Sequence, residues 1–205
     1  LHQERFPFLV WMVVREESIP TGEILKVEGT PFDFRTPKPI GQDIDADNEQ
    51  IKNGSGYDHN YVLNKKEEDE LSFAARIKDP VSCRTMEVYT TEPGLQMYTG
   101  NFLAGIKGQH GATFPRRSAV CFEAQKFPDT PNHPYFPSCR LNPGETYTQK
   151  TIYKFGVDKK IRLNHIGVAA SKCTMQGQLL LFAVKLTSAS FSSAFGAGYL
   201  PVQPR

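Results

Sequence analysis

The sequence predicts an all-β protein built from antiparallel strands, and three observations carry that prediction. Short runs of apolar and polar residues alternate with a period of two. Turn formers recur along the whole chain, with 16 Gly and 15 Pro. No long stripe with the 3.6-residue period of an amphipathic helix interrupts them.

The elements follow in order. The N-terminal run RFPFLVWMVV at 5–14 imitates a signal peptide. It is short, contains Pro7 and is followed by no small-residue cleavage site, so it reads as mature protein. Residues 43–51 are the one segment read as a short helix. In LSFAARI at 71–77, Leu71, Phe73, Ala75 and Ile77 share one face, with Ser72 and Arg76 on the other. Met86, Val88 and Thr90 oppose Glu87, Tyr89 and Thr91 in the same way. If 118–124 is extended, Ala119, Cys121 and Glu123 share a face and Val120 and Phe122 point to the core. Residues 128–143 carry Pro128, Pro131, Pro134, Pro137 and Pro143. Proline removes ladder donors, so this stretch reads as an ordered excursion and not a strand. Tyr147, Thr151, Tyr153 and Phe155 then share a face, against Lys150 and Lys154. The mixed-sign run KKEEDE at 65–70 reads as an exposed loop tip between strands.

Composition excludes several classes. The 205 residues fit one domain, and 39% apolar residues suffice for a core. Twenty-four basic against 22 acidic residues leave a net charge of +2, with no electrostatic footprint for nucleic acid. The apolar run LLLFAVKL at 179–186 falls far short of the ~20 residues of a membrane span. Cys83, Cys121, Cys139 and Cys173 lie far apart, neither a zinc pattern nor a disulfide scaffold. Reduced thiols in a cytoplasmic protein are expected. His2, His59, His110, His133 and His165 are scattered too, and no metal site is expected.

Three polar residues stand out as candidates for chemistry. Glu123, a carboxylate on a small-residue face between apolar neighbours, is expected to be partly desolvated and so a better base near neutral pH. On the residues alone, a lone Glu at a strand end is more usually a surface residue. Gln96, in PGLQMYTGN at 93–101, carries a planar amide suited to a polyol; it reads equally as a strand residue facing water. Asp58, in GYDHN at 56–60, reads equally as an Asx-turn residue. Alternation points the neighbouring His59 away from Asp58.

These blocks resemble the galactose mutarotases (aldose 1-epimerases). The resemblance runs from IPTGE at 19–23 and GTPFDFR at 29–35, through GYDHN, PGLQMYTGN and CFEAQ at 121–125. It closes on LNPGE at 141–145 and YKF at 153–155. It implies an antiparallel β-sandwich of the mutarotase (supersandwich) type, here incomplete, since the blocks match about the C-terminal half of a family member. It divides the chain into a poorly matching segment 1–18, the family sandwich at 19–157 and an unmatched extension at 158–205.

The function implied is interconversion of the α and β anomers of aldohexoses such as galactose and glucose, with no cofactor. Glu123 takes the role of catalytic base, while Asp58 and Gln96 bind sugar hydroxyls. Tyr98 ranks below them as an apolar wall. The family's general-acid histidine and substrate-binding arginine belong to the half that the blocks do not match, and an upstream piece is expected before Leu1. The alternative is a non-catalytic sugar-binding β-sandwich module. The partner is a small aldohexose, with neither nucleic acid nor membrane. Full-length family members are expected to be monomers.

A sandwich with half its strands leaves sheet edges and apolar surface uncovered. The 205-residue chain is therefore expected to self-associate on size-exclusion chromatography. A sharp monomeric peak with cooperative melting would contradict this.

Overall fold

A computed structural model describes residues 2–5, 10–16, 18–158 and 182–183. The first half holds β1 (His2–Arg5), β2 (Val10–Val14), β3 (Pro20–Lys26), β4 (Lys38–Pro39), α1 (Glu49–Asn53), β5 (Asp58–Val62), β6 (Ser72–Lys78) and β7 (Arg84–Thr90). The second holds β8 (Gly94–Tyr98), β9 (Ile106–Lys107), β10 (Thr113–Phe114), β11 (Val120–Gln125), β12 (Thr151–Val157) and β13 (Phe182–Ala183). The expected extension at 158–205 lies outside the described residues, apart from Asp158 and β13.

A first, five-stranded sheet has the order β12-β7-β6-β1-β4, a second, six-stranded sheet the order β13-β11-β8-β5-β2-β3, and β9 and β10 form a separate two-stranded ribbon. Every described pairing is antiparallel except the short β11–β13 contact. One core lies between the sheets. Ala75, Ile77, Met86 and Val88 of the first sheet meet Trp11, Tyr61, Leu95, Met97, Val120 and Phe122 of the second. Tyr153 ties them together, its hydroxyl donating to the Phe122 carbonyl at 2.9 Å. This is the antiparallel sandwich that the alternation predicts, with both inner faces apolar.

The alternation holds on β7, where Met86, Val88 and Thr90 are buried and Glu87 and Tyr89 are not. On β6 it is interrupted. Phe73 pairs with Tyr89 but Ala75 with Val88, so Ala74 is an extra residue in the ladder, a β-bulge. Ala74 and Ala75 are both buried, while Phe73 is only half-buried and Leu71 is exposed. The shared face read for Leu71, Phe73, Ala75 and Ile77 thus breaks at the bulge.

On β12, Thr151 and Tyr153 face inward, but Phe155 is 60% exposed. β12 is an edge strand, paired only with β7 among the described strands. Tyr147 precedes it and instead donates its hydroxyl to buried Glu92.

The helix is shorter than 43–51 and shifted. A 3-10 turn takes Ile40–Gln42, and α1 begins only after Asn48. The Asn48 side chain accepts from the Gln50 and Ile51 amides and so sets the N-terminus. From α1, Gln50 bonds the Val14 amide and carbonyl at 2.8 and 3.0 Å, and Asn53 Nδ2 donates to the same carbonyl at 3.0 Å. The helix thereby pins the end of β2.

Residues 128–143 form no strand, as the prolines require, and hold a 3-10 turn at Thr130–Asn132. Phe127 and Phe136 anchor the stretch against Met12 and Val62, on the outer face of the six-stranded sheet. The run at 65–70 lies between β5 and β6. Its middle is exposed, and Lys65 turns back to donate to the carbonyls of Glu70 and Thr90. The expectation of reduced thiols is corrected at Cys83, which is disulfide-bonded; Cys121 and Cys139 are not disulfide-bonded.

Entry into β5 is held by a buried polar knot. Asn101 Nδ2 donates to the carbonyls of Gly54 and Tyr57 at 2.8 and 3.1 Å, and Thr99 Oγ1 donates to Asn101 Oδ1 at 2.8 Å. Gly56 passes this knot at φ +135°, and a Cβ there would lie 2.5 Å from Asn101 Oδ1. Only glycine suits that backbone and that space. Gly56→Ala is expected to destabilise the chain by at least about 1 kcal/mol in urea denaturation. An unchanged midpoint would show that the knot does not constrain β5.

Candidate active site

β5, β8 and β11 lie side by side, and their register decides which side chains meet. Asn60 pairs with Gln96, and Gln96 with Glu123. One step along, Asp58 pairs with Tyr98, and Tyr98 with Cys121. Residues two apart on a strand share a face. Asp58, Asn60, Gln96, Tyr98 and Glu123 therefore stand on the outer face, while His59, Tyr61, Met97 and Phe122 point into the core.

These outer-face groups line one cavity of about 360 Å³, within the size range of small-molecule sites. Met12, Val14 and Phe102 supply apolar wall, and Pro128 of the proline-rich stretch borders it. The three residues singled out from the sequence, Asp58, Gln96 and Glu123, are thus brought together across three strands. Adjacent strands are about 4.8 Å apart, so the strands of Asp58 and Glu123 are separated by about 10 Å with Gln96 between them.

Gln96 Nε2 donates to Asp58 Oδ1 at 2.8 Å. That bond fixes the amide orientation and leaves Gln96 Oε1, buried, with no protein partner. Asp58 and Gln96 are half-buried in the cavity lining. Asp58 lies within β5 and not in a turn. Glu123 is half-buried on β11, between core-facing Phe122 and half-buried Ala124. The Tyr98 hydroxyl accepts from the Phe102 amide at 3.0 Å, and the two rings stack with centroids 6.3 Å apart. They form an aromatic wall at one end.

His59 stands on the opposite face, as alternation requires. It is fully buried, 4.6 Å from the Phe32 ring and 5.3 Å from Trp11, and its Nδ1 accepts from the Asp58 amide at 3.1 Å. Burial among aromatic rings pushes its pKa down to about 3, so the ring is neutral. It supports β5 from beneath and does not reach the cavity. Among the described residues, no histidine lines that cavity. Among the described residues, no group of His, Cys, Asp and Glu could hold a metal, and no helix is long and apolar enough to cross a membrane.

Sequence reasoning missed Asn60. The signal was present, since Asn60 is two residues from Asp58 on the same strand and shares its face. It is 1% exposed, and neither amide atom has a protein partner.

An antiparallel sandwich carrying a polar cleft on the outer face of one sheet is the class that this fold and site define. Within it, the chain belongs to the aldose 1-epimerase family, whose description matches residues 2–154. That match takes in residues before Ile19, where the resemblance in the sequence begins.

The chain is 47% identical to the galactose mutarotase of Mus musculus over 148 residues, 72% of this chain and 41% of that protein. It is 38% identical to the aldose 1-epimerase of Escherichia coli (strain K12) over 147 residues, 71% of this chain and 42% of that protein. Among solved structures, an aldose epimerase homologue from C. elegans superimposes with a TM-score of 0.66 at 28% identity, covering 77% of this chain and 46% of that one. Galactose 1-epimerase from Lactobacillus acidophilus NCFM gives 0.62 at 26% identity, covering 77% and 44%. The chain spans less than half the length of the relatives it matches.

His59 also makes stability depend on pH. Its pKa lies near 3 in the folded chain and near its ordinary 6.5 when unfolded. Between these values the unfolded state holds a proton that the folded state lacks. The stabilisation is therefore complete above pH 6.5 and falls below it, by about 1.4 kcal/mol per pH unit from this group. Urea titrations from pH 7.5 to 4 are expected to show this slope in the parent and a shallower one in His59→Gln. Equal slopes would remove His59 as the cause.

Proposed function

We propose that the cavity binds an aldohexose and that the chain carries the base half of an aldose 1-epimerase site. The observation that carries this reading is the convergence of Glu123, Gln96 and Asp58 in one cavity of about 360 Å³. Family membership supports it. The polar groups suit a polyol, since carboxylates accept from hydroxyls and a carboxamide offers both donor and acceptor. The tyrosine–phenylalanine wall suits the apolar face of a sugar ring.

In this reading, Glu123 takes the proton of the anomeric hydroxyl. The bond from the anomeric carbon to the ring oxygen breaks, and an acid gives that oxygen a proton. The open-chain aldehyde turns about its first carbon–carbon bond, and the reverse proton transfers close the ring on the other face. No electron is gained or lost, and no group leaves. Asp58 and Gln96 hold hydroxyls away from the reacting carbon, so that the anomeric hydroxyl reaches Glu123 in the right orientation.

A second reading is favoured by one observation, that no histidine among the described residues lines the cavity. A cleft with a base and hydroxyl-binding groups but no imidazole binds sugar without opening its ring. The two readings share a ligand and differ in turnover.

Polarimetry of α-D-galactose tests both. If the chain accelerates mutarotation, Glu123→Gln is expected to slow it about 10²–10⁴-fold, the usual worth of a positioned base. Unchanged rotation kinetics in the variant would remove Glu123 from the role. Calorimetric binding of galactose without acceleration would leave the binding module.

A further inference from the structure

A fully buried polar side chain without a partner is rare in folded proteins, and Asn60 is one. It is 1% exposed, and both Oδ1 and Nδ2 lack a protein partner. Its pair across the ladder, Gln96, leaves Oε1 equally unsatisfied. Both residues line the cavity.

The surrounding backbone makes room for the amide. Gly94 lies two residues from Gln96 on the same face of β8, and a Cβ there would come within 2.5 Å of Asn60 Oδ1 and 3.0 Å of Phe127. Gly94 thus keeps a pocket open for the amide beneath Phe127. An apolar residue at position 60 would remove the cost of stranding two polar atoms out of water. Asn60 carries that cost at a place where a polyol would relieve it.

We infer that Asn60 is a substrate contact: its amide and Gln96 Oε1 together hold one ring hydroxyl of the bound aldohexose. Gln96 Oε1 accepts the hydroxyl proton, and Asn60 Nδ2 donates to the hydroxyl oxygen. The pairing is fixed by register, because Asn60 and Gln96 are direct cross-strand neighbours. Gln96 is fixed in turn by its 2.8 Å bond to Asp58. The cleft then has two ends. Glu123 marks the reacting end, and Asn60, across β8 from it, marks an anchoring end that selects hydroxyl position. This inference rests on the aldohexose reading of the cavity.

The test measures calorimetric binding of galactose and each monodeoxygalactose, together with melting temperature, for the parent, Asn60→Ala and Asn60→Ser. Galactose binding is expected to weaken about 3- to 10-fold in Asn60→Ala, the share of one neutral hydrogen bond. The loss should vanish for the one monodeoxygalactose that lacks the hydroxyl held at this end, since deletions on both sides of one contact do not add. Melting temperatures without sugar should not fall, because the amide has no protein partner to lose.

If the parent binds galactose and both variants bind every sugar as the parent does, Asn60 makes no contact. If the variants melt earlier, fail to fold or lose all sugars alike, its role is structural and the inference fails. If the parent binds none of the sugars, the aldohexose reading itself fails. The binding titrations and the melting temperatures together distinguish the three results.

Discussion

The register of β8 between β5 and β11 is the constraint on which the rest of the molecule depends. It sets Asn60, Gln96 and Glu123 in one row and Asp58 and Tyr98 in the next. A slip of one residue in any of these strands would turn its polar set into the core and its apolar set toward the cavity. Register is held from both sides. On the inner face, Leu95, Met97, Tyr61 and Phe122 are buried against the opposite sheet. At the entry to β5, Gly56 and the Asn101 knot fix where the strand begins. The site inherits its geometry from packing that has no chemical role of its own.

His59 shows how the two faces of β5 divide the work. It is the most reactive residue type in GYDHN, yet it points into an aromatic box and is held neutral. Its ring accepts from the Asp58 amide, so it steadies the backbone of the residue that faces the cavity. The two neighbours serve one site from opposite sides of a sheet.

The outer face gains its enclosure from a stretch with no regular structure. The proline-rich residues cannot join a ladder, and Phe127 and Phe136 carry them back over Met12 and Val62. The hydroxyl of Tyr135 donates to the Gly22 carbonyl at 3.1 Å and pins the same stretch to β3. Proline content that excludes a strand here also supplies a stiff border for the cavity, with Pro128 at its edge.

Much of this was legible in the residues. Period-two alternation determined the strand class, the inward set on β7 and the inward Val120 and Phe122 on β11, because burial of one sheet face imposes that period directly. The proline run determined its own irregularity. Alternation also separated His59 from Asp58. Other features depended on contacts distant in the chain. The bulge at Ala74 arose from pairing between β6 and β7, and the exposure of Phe155 from the edge position of β12. The start of α1 depended on which side chain captured the free amides, and the bond state of Cys83 on proximity that spacing does not encode. The cavity itself belongs to tertiary structure alone. Asp58, Gln96 and Glu123 come from three strands, and the row that adds Asn60 exists only once those strands are in register, since hydrogen bonds between strands, and not the order of residues along the chain, decide which side chains are neighbours.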